Sequence, residues 1–258
     1  MVEVTLQDVS YAYGRKQVLH GVSHVFQPGT FTAIMGKNGS GKTTLLRCIN
    51  KMAVNFKGHI AIGDADVRTL TLEDLAKLSA FVPQGQDTVY GASVFETVLL
   101  GRLPYMTWAP TETDYQIVDE TLEALQLRHF STTDIHRISG GERQKVYIAR
   151  AIAQKTPVIL LDEPVTYLDM KHQMEIMSLL ENLARQGYTI IMVVHDLNLA
   201  LQFCSHFVFI KDGRLIPAAG PEAIDEALVR EVFDVEVEKM AHKDGRSFFS
   251  ISRNKDDR

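Results

Sequence analysis

Apolar residues alternate with polar ones at Val2, Val4 and Leu6 and again across His24 to Phe26, with Gln27-Pro28-Gly29 as a turn. The chain is therefore read as opening on an antiparallel strand group. The texture then changes. Thr30 to Met35 is a short apolar strand, a glycine-rich stretch follows, and Thr43 to Lys51 has the spacing of a helix. Further short strands are predicted over Gly58 to Ile62 and Leu78 to Val82 around a helical Leu72 to Ala76, and Pro83-Gln84-Gly85 breaks the pattern. Next comes a helical section. Ser93, with Glu96 three residues on, has the capping-box spacing for a helix running to Leu100. Ile117, Leu122 and Leu125 share one face of a helix over Glu112 to Leu125. These helices predict a subdomain inserted over about residues 86–150, beginning at Gln86.

Beyond Gly140-Gly141, helices and short apolar strands alternate. Helix 142–154 leads to strand Val158 to Leu161, helix Lys171 to Gln186, strand Tyr188 to Val194 and helix Leu197 to Phe203. That order indicates a parallel sheet covered by helices. Strand Phe207 to Lys211, the Asp212-Gly213 turn, Leu215-Ile216 and a helix over Pro221 to Phe233 complete the series. The fold class is α/β: a core with a parallel sheet, an N-terminal antiparallel β subdomain and an inserted α-helical subdomain. Residues 1–235 are read as one domain and 236–258 as a C-terminal extension whose role the sequence does not show, ending in Asn254 to Arg258, which are expected to be solvated.

Composition narrows the class without naming it. With 258 residues, 45% hydrophobic and 23% charged, the chain has the balance of a globular protein large enough to bury a substantial core. The net charge of −5 and scattered Lys and Arg argue against a nucleic-acid partner. Cys48 and Cys204 form no CxxC pair and are read as core thiols. The longest apolar runs are far shorter than the span of about 20 residues that a bilayer requires, and the N-terminus lacks the layout of a secretory signal. A cytosolic location is expected.

Chemistry is concentrated in three places. Gly36-Lys37-Asn38-Gly39-Ser40-Gly41-Lys42-Thr43, followed by Thr44, fits GxxxxGK[ST] between a strand and a helix, the pattern of a P-loop NTPase. Its glycines let backbone N–H groups turn toward phosphate oxygens, Lys42 can reach the β- and γ-phosphates, and Thr43 can hold Mg²⁺. Val158 to Leu161 ends in Asp162-Glu163, where Asp162 can hold Mg²⁺ and Glu163 can polarise an attacking water. His195, at the end of a predicted strand, is placed either to meet the γ-phosphate or to fill a plain structural role. Between these lies Ile138-Ser139-Gly140-Gly141-Glu142, a second glycine-rich turn opening a helix, and so a second place for an anion.

Phosphate loop, Pro83-Gln84, Ile138 to Glu142, Leu160-Leu161-Asp162-Glu163, Tyr167-Leu168-Asp169 and His195 occur in the order found in ATP-binding subunits of ABC transporters, and the chain resembles that family over about its first 215 residues. The resemblance implies that Tyr13 stacks on adenine and that Gln84 senses Mg²⁺ and the lytic water. It also implies that Asp169 lies in the D-loop and that His195 is the switch histidine. It moves the second anion site to another nucleotide: Ser139, Gly140, Gly141 and Glu142 of one copy would cap the ATP held by Lys42 of the other in a head-to-tail dimer. The signature departs from the commonest LSGGQ at Ile138 and Glu142.

A single phosphate loop excludes double-cassette translation factors, and the lack of heptad arms excludes the DNA-repair relatives. Val94 to Val98, Gly101-Arg102-Leu103-Pro104-Tyr105, His195 to Ala200 and Val229 to Phe233 resemble subunits energising iron-siderophore, haem and cobalamin importers. That implies membrane permease subunits as partners, an extracytoplasmic substrate-binding protein acting through them, and a peripheral position on the cytoplasmic face of the membrane. Docking is expected in a groove around Gln84 to Tyr90 and the helices that follow. Competing readings are a non-transport cassette of the iron-sulfur cluster assembly type and a nucleotide-binding regulator without turnover.

Overall fold

The computed structural model describes residues 1–85, 91–166, 168–218, 220–241 and 246–251. β1 (Val4–Tyr13) and β2 (Lys16–Phe26) form an antiparallel hairpin, and β3 (Phe31–Met35) feeds the glycine-rich loop and α1 (Lys42–Ile49). β4 (Lys57–Ile62) and β5 (Ala65–Asp66) return to the hairpin and complete a four-stranded sheet in the order β2-β1-β4-β5. α2 (Leu72–Leu78) leads into β6 (Ser79–Val82). After it come α3 (Val94–Leu99), a 3₁₀ segment Leu100–Tyr105, α4 (Glu112–Ala124) and α5 (Gly140–Ala153). The last stretch is β7 (Val158–Asp162), α6 (Met170–Arg185), β8 (Thr189–Val193), α7 (Leu197–Phe203), β9 (His206–Lys211), β10 (Arg214–Ala218), α8 (Glu226–Phe233), β11 (Val237–Ala241) and β12 (Ser247–Ile251).

The six-stranded sheet runs β10-β9-β3-β8-β7-β6, parallel except for the edge strand β10. Every residue of β3, β7 and β8 is buried, as the unbroken apolar runs of these strands require of a sheet covered on both faces. Alternation divides the coverage. Ile159, Leu161, Ile190 and Met192 point into a core shared with α3 to α6, while Val158, Leu160, Ile191 and Val193 point into a second core with α1 and the antiparallel sheet. The carboxyl ends of these central strands therefore project loops from a rigid support.

The helical insertion is stiffened by capping. Ser93 with Glu96, Thr111 with Asp114 and Ser139 with Glu142 each form a reciprocal capping box. Buried Arg102 binds the insertion together, donating from Nε to Asp114 Oδ1 at 2.9 Å and from a terminal nitrogen to Ala153 O at 2.9 Å. The 3₁₀ segment, the start of α4 and the end of α5 thus share one side chain.

One expectation is corrected. The helix expected over Pro221 to Phe233 is a 3₁₀ turn, Pro221–Ala223, followed by a separate helix. Ile224 is drawn into the core, and Asp225 accepts from Leu228 N at 2.8 Å to start α8 afresh. The extension, whose role the sequence leaves open, forms the antiparallel hairpin β11–β12 and buries Val237 and Phe249. Asn254 to Arg258, expected to be a solvated end, lie outside the described residues.

Candidate functional site

The phosphate loop owes its shape to glycine at two points. Gly36 has φ +148, and a Cβ there would meet Ile210 O at 2.3 Å; Gly41 has φ +111 and sits at the N-cap of α1. Lys42 folds back across the loop, donating from Nζ to Gly36 O at 2.8 Å and Lys37 O at 2.9 Å. An ammonium has three donors, so one N–H is left for a ligand. Burial pushes the Lys42 pKa down, while the neighbouring Glu163 and Asp162 carboxylates push it back up. Ser40 Oγ is buried with no hydrogen-bond partner among the described residues, and the first-turn N–H groups of α1 lack intrahelical acceptors. Unspent donors gathered in a loop with helix and glycine geometry fit a polyphosphate.

At the end of β7 the chain turns sharply. Glu163 adopts φ +53, a left-handed conformation that is strained for a residue with a side chain, and its N–H is held by Val193 O at 3.1 Å. Three groups converge on its carboxylate. Gln84 Nε2 donates to Oε2 at 2.8 Å, Thr166 Oγ1 donates to Oε2 at 3.3 Å, and His195 Nε2 lies 2.5 Å from Oε1. The residue before it has a different task. Asp162 is 2% exposed and accepts from Thr43 Oγ1 at 3.0 Å. Burial raises its pKa, the Thr43 hydrogen bond lowers it, and Glu163 raises it again. A hydroxyl and a carboxylate facing each other form the hard oxygen pair that Mg²⁺ prefers, so these side chains fit that ion.

A stability prediction follows from the direction at Asp162. Its pKa is raised in the fold, so its contribution is fully present below the ordinary carboxylate value and is lost as pH rises through the folded value; at neutral pH the charge is a cost. Asp162→Asn should raise the nucleotide-free Tm at pH 7 and flatten this slope below pH 7. Calorimetry between pH 4 and 8 checks it. A lower Tm at neutral pH would show that desolvation of the Asp162 charge does not decide the energetics.

These residues enclose one cavity of about 660 Å³, lined by Tyr13, Lys16, Val18, Asn38, Gly39, Gly41, Lys42, Thr43, Thr44, Gln84, Glu163, Thr166 and His195. Tyr13 is 46% exposed at its mouth and packs edge-to-face on Tyr11 with centroids 4.9 Å apart. Tyr11 instead packs against the second core. Lys16, Val18 and Thr166 were missed from sequence; only the position of Thr166, a hydroxyl three residues past Glu163, carried a signal. The Lys37 side chain pairs with Asp234 outside the cavity.

Ser139, Gly140, Gly141 and Glu142 do not line this cavity. Ser139 Oγ accepts from Glu142 N at 3.3 Å, and Ser139 N donates to Glu142 Oε2 at 2.8 Å, so Glu142 is spent on capping α5. Hydrogen bonds from Ser139, its hydroxyl first, hold the Glu142 carboxyl below the usual range. Asp169 caps α6, accepting from His172 N at 2.9 Å, and its Oδ2 lies 2.9 Å from His172 Nδ1. Gly140 lines a neighbouring cleft of about 440 Å³ that shares Gln84, Glu163 and Thr166 with the first. Tyr167 lies outside the described residues.

The sequence model of the ABC transporter family matches residues 19–166, more than half of the chain. The chain belongs to the ABC transporter family. As a member it is an ATP-binding, ATP-hydrolysing subunit. It is 38% identical to a petrobactin import ATP-binding protein of Bacillus anthracis, over 88% of this chain and 85% of that one. It is 32% identical to an iron(3+)-hydroxamate import ATP-binding protein of Bacillus subtilis, over 92% and 90%. Among solved ABC structures, an inward-facing transporter assigned to the metal-chelate type superposes with TM-score 0.86 at 24% identity, over 98% of this chain and 99% of that one. An ATP-binding cassette dimer bound to ADP and phosphate superposes with TM-score 0.74 at 30% identity, over 84% and 98%. Among the described residues of this ABC subunit, no helix is long and apolar enough to cross a membrane.

Proposed function

We propose that two copies of this chain close head to tail around two ATP molecules and that hydrolysis powers uptake of a metal chelate, of the iron-siderophore, haem or cobalamin kind, through a separate membrane permease. The observation that carries the hydrolytic part is the Glu163 carboxylate, gripped by Gln84, Thr166 and His195 in the cavity that holds Lys42 and Thr43. In this reading Glu163 orients the attacking water and takes its proton. His195 Nε2 and the Gln84 amide fix the carboxylate and sit where the γ-phosphate would arrive. Lys42 turns its remaining N–H to the phosphates, and Gly36 to Gly41 and Thr44 surround them through the loop and the start of α1.

Bound Mg²⁺ would offset phosphate charge; Thr43 and Asp162 would hold it, with the oxygen of the Gln84 amide, whose nitrogen is engaged by Glu163. Tyr13 offers a ring to the adenine. Ser139, Gly140, Gly141 and Glu142, absent from the lining of the cavity of their own chain, would meet the nucleotide of the other copy, with Asp169 beside them at the interface. The dimeric cassette bound to ADP and phosphate supports the pairing of two copies.

The import proteins named among the relatives support metal-chelate cargo, and no observation favours the cluster-assembly alternative. In the helical insertion Leu103, Tyr105 and Trp108 are exposed, and such large apolar side chains would suit a permease docking there. Of the docking groove expected around Gln84 to Tyr90, residues 86–90 lie outside the described set. Docked in this way, the subunit would sit on the cytoplasmic face of the membrane, and an extracytoplasmic binding protein would deliver cargo to the permease. The test is reconstitution with the permease encoded beside it: ATP-dependent entry of an iron-siderophore, haem or cobalamin into proteoliposomes is expected. ATP turnover by that complex with none of the three taken up would sink the uptake reading.

A further inference from the structure

The hairpin β11–β12 is fastened to the helix that begins directly after His195-Asp196. Asn198, in the first turn of α7, donates from Nδ2 to Phe249 O at 2.9 Å and accepts at Oδ1 from Phe249 N at 2.8 Å. Both backbone groups of one residue of β12 are therefore bound by one side chain. The other strand is held as firmly, with Lys239 N donating to Glu226 Oε1 at 2.8 Å and Lys239 Nζ to Ile224 O at 2.6 Å. Just before β11, Asp234 pairs with Lys37 of the phosphate loop.

His195 is confined between two anchors. Upstream is β8, buried along its length; downstream is α7, whose cap Asp196 accepts from Leu199 N at 2.9 Å. A shift in the start of α7 would therefore alter the 2.5 Å separation between His195 Nε2 and Glu163 Oε1. Asn198 lines neither cavity that contains Glu163, so it can act on nucleotide chemistry only through its neighbours.

We infer that Asn198 is a positioning residue: by docking the C-terminal hairpin onto α7 it fixes His195 against Glu163, so that the extension governs turnover and not nucleotide affinity. This rests on the hydrolytic reading of the site. Asn198→Ala in the full chain should lower kcat for ATP on the order of tenfold while leaving KM within about twofold, the pattern of a displaced catalytic group beside an intact binding loop. Amides of residues 195–203 should exchange with solvent faster, and those of α1 at the wild-type rate. Phe249→Leu is the control. It trims packing but keeps the N–H and C=O that Asn198 binds, so kcat should stay within about twofold even where Tm falls.

Unchanged kcat and unchanged exchange in Asn198→Ala would overturn the inference. So would a loss of kcat that follows Tm equally in both variants, since that would make the hairpin a structural brace alone. Failure of the hydrolytic reading looks different, because Glu163→Gln would then release phosphate at the wild-type rate; unchanged exchange over 195–203 would still overturn the link to α7.

Discussion

Glu163→Gln is expected to leave ATP binding in place and to lower steady-state phosphate release by a factor of about 10²–10⁴, the usual contribution of a positioned general base. The substitution keeps the shape of the side chain and removes its capacity to take a proton. Oxygen on the side facing His195 Nε2 preserves that contact, but the amide nitrogen would then face Gln84 Nε2, now 2.8 Å from Oε2, and Gln84 must flip to restore a donor and an acceptor. The repair is local, so Lys42, Thr43 and the phosphate loop should still hold ATP. With hydrolysis stalled, γ-phosphate contacts persist, and ATP-dependent dimers should accumulate on gel filtration. Phosphate release at the wild-type rate would remove Glu163 from the base role.

The parts of this site that were legible in the sequence are those whose chemistry is local. A phosphate loop is a contiguous device, and its spacing announces it between a strand and a helix. Asp162-Glu163 was legible because two adjacent carboxylates close a short apolar run, a contiguous signal even though Asp162 is buried as the last residue of β7. The capping box at Ser93 and Glu96 was readable for the same reason. What stayed hidden depends on the fold bringing distant positions together. Gln84 reaches Glu163 from 79 residues away, and Lys37 meets Asp234 across 197. Nothing in either neighbourhood predicts the partner. Lys16 and Val18 sit in an ordinary strand pattern and line the cavity only because the β1–β2 hairpin lies over the phosphate loop. The terminal hairpin was obscured because its strands leave Met240 and Ile251 exposed and bury little beyond Val237 and Phe249. The apolar alternation that reveals a half-buried strand is weak there.

Mixing two inactive variants should restore activity, and this is the sharpest consequence of a signature that does not line the cavity of its own chain. Lys42→Ala removes the ammonium from the phosphate loop, and Ser139→Arg places a large cation where an anion is to be received; each homodimer should lose nearly all turnover. In a mixed dimer whose sites are shared between copies, one site carries both lesions and the other carries neither. Random pairing makes about half of the dimers mixed, so turnover should recover to about a quarter of wild type where sites act independently. If each chain instead completed its own site, every site in the mixture would carry one lesion and recovery would be absent. Purifying the mixed dimer through two different affinity tags before the phosphate assay removes the homodimer background. The lone chain, lacking a partner's Ser139, should be a poor ATPase at concentrations too low for pairing. Turnover per chain should therefore rise with protein concentration until dimers dominate.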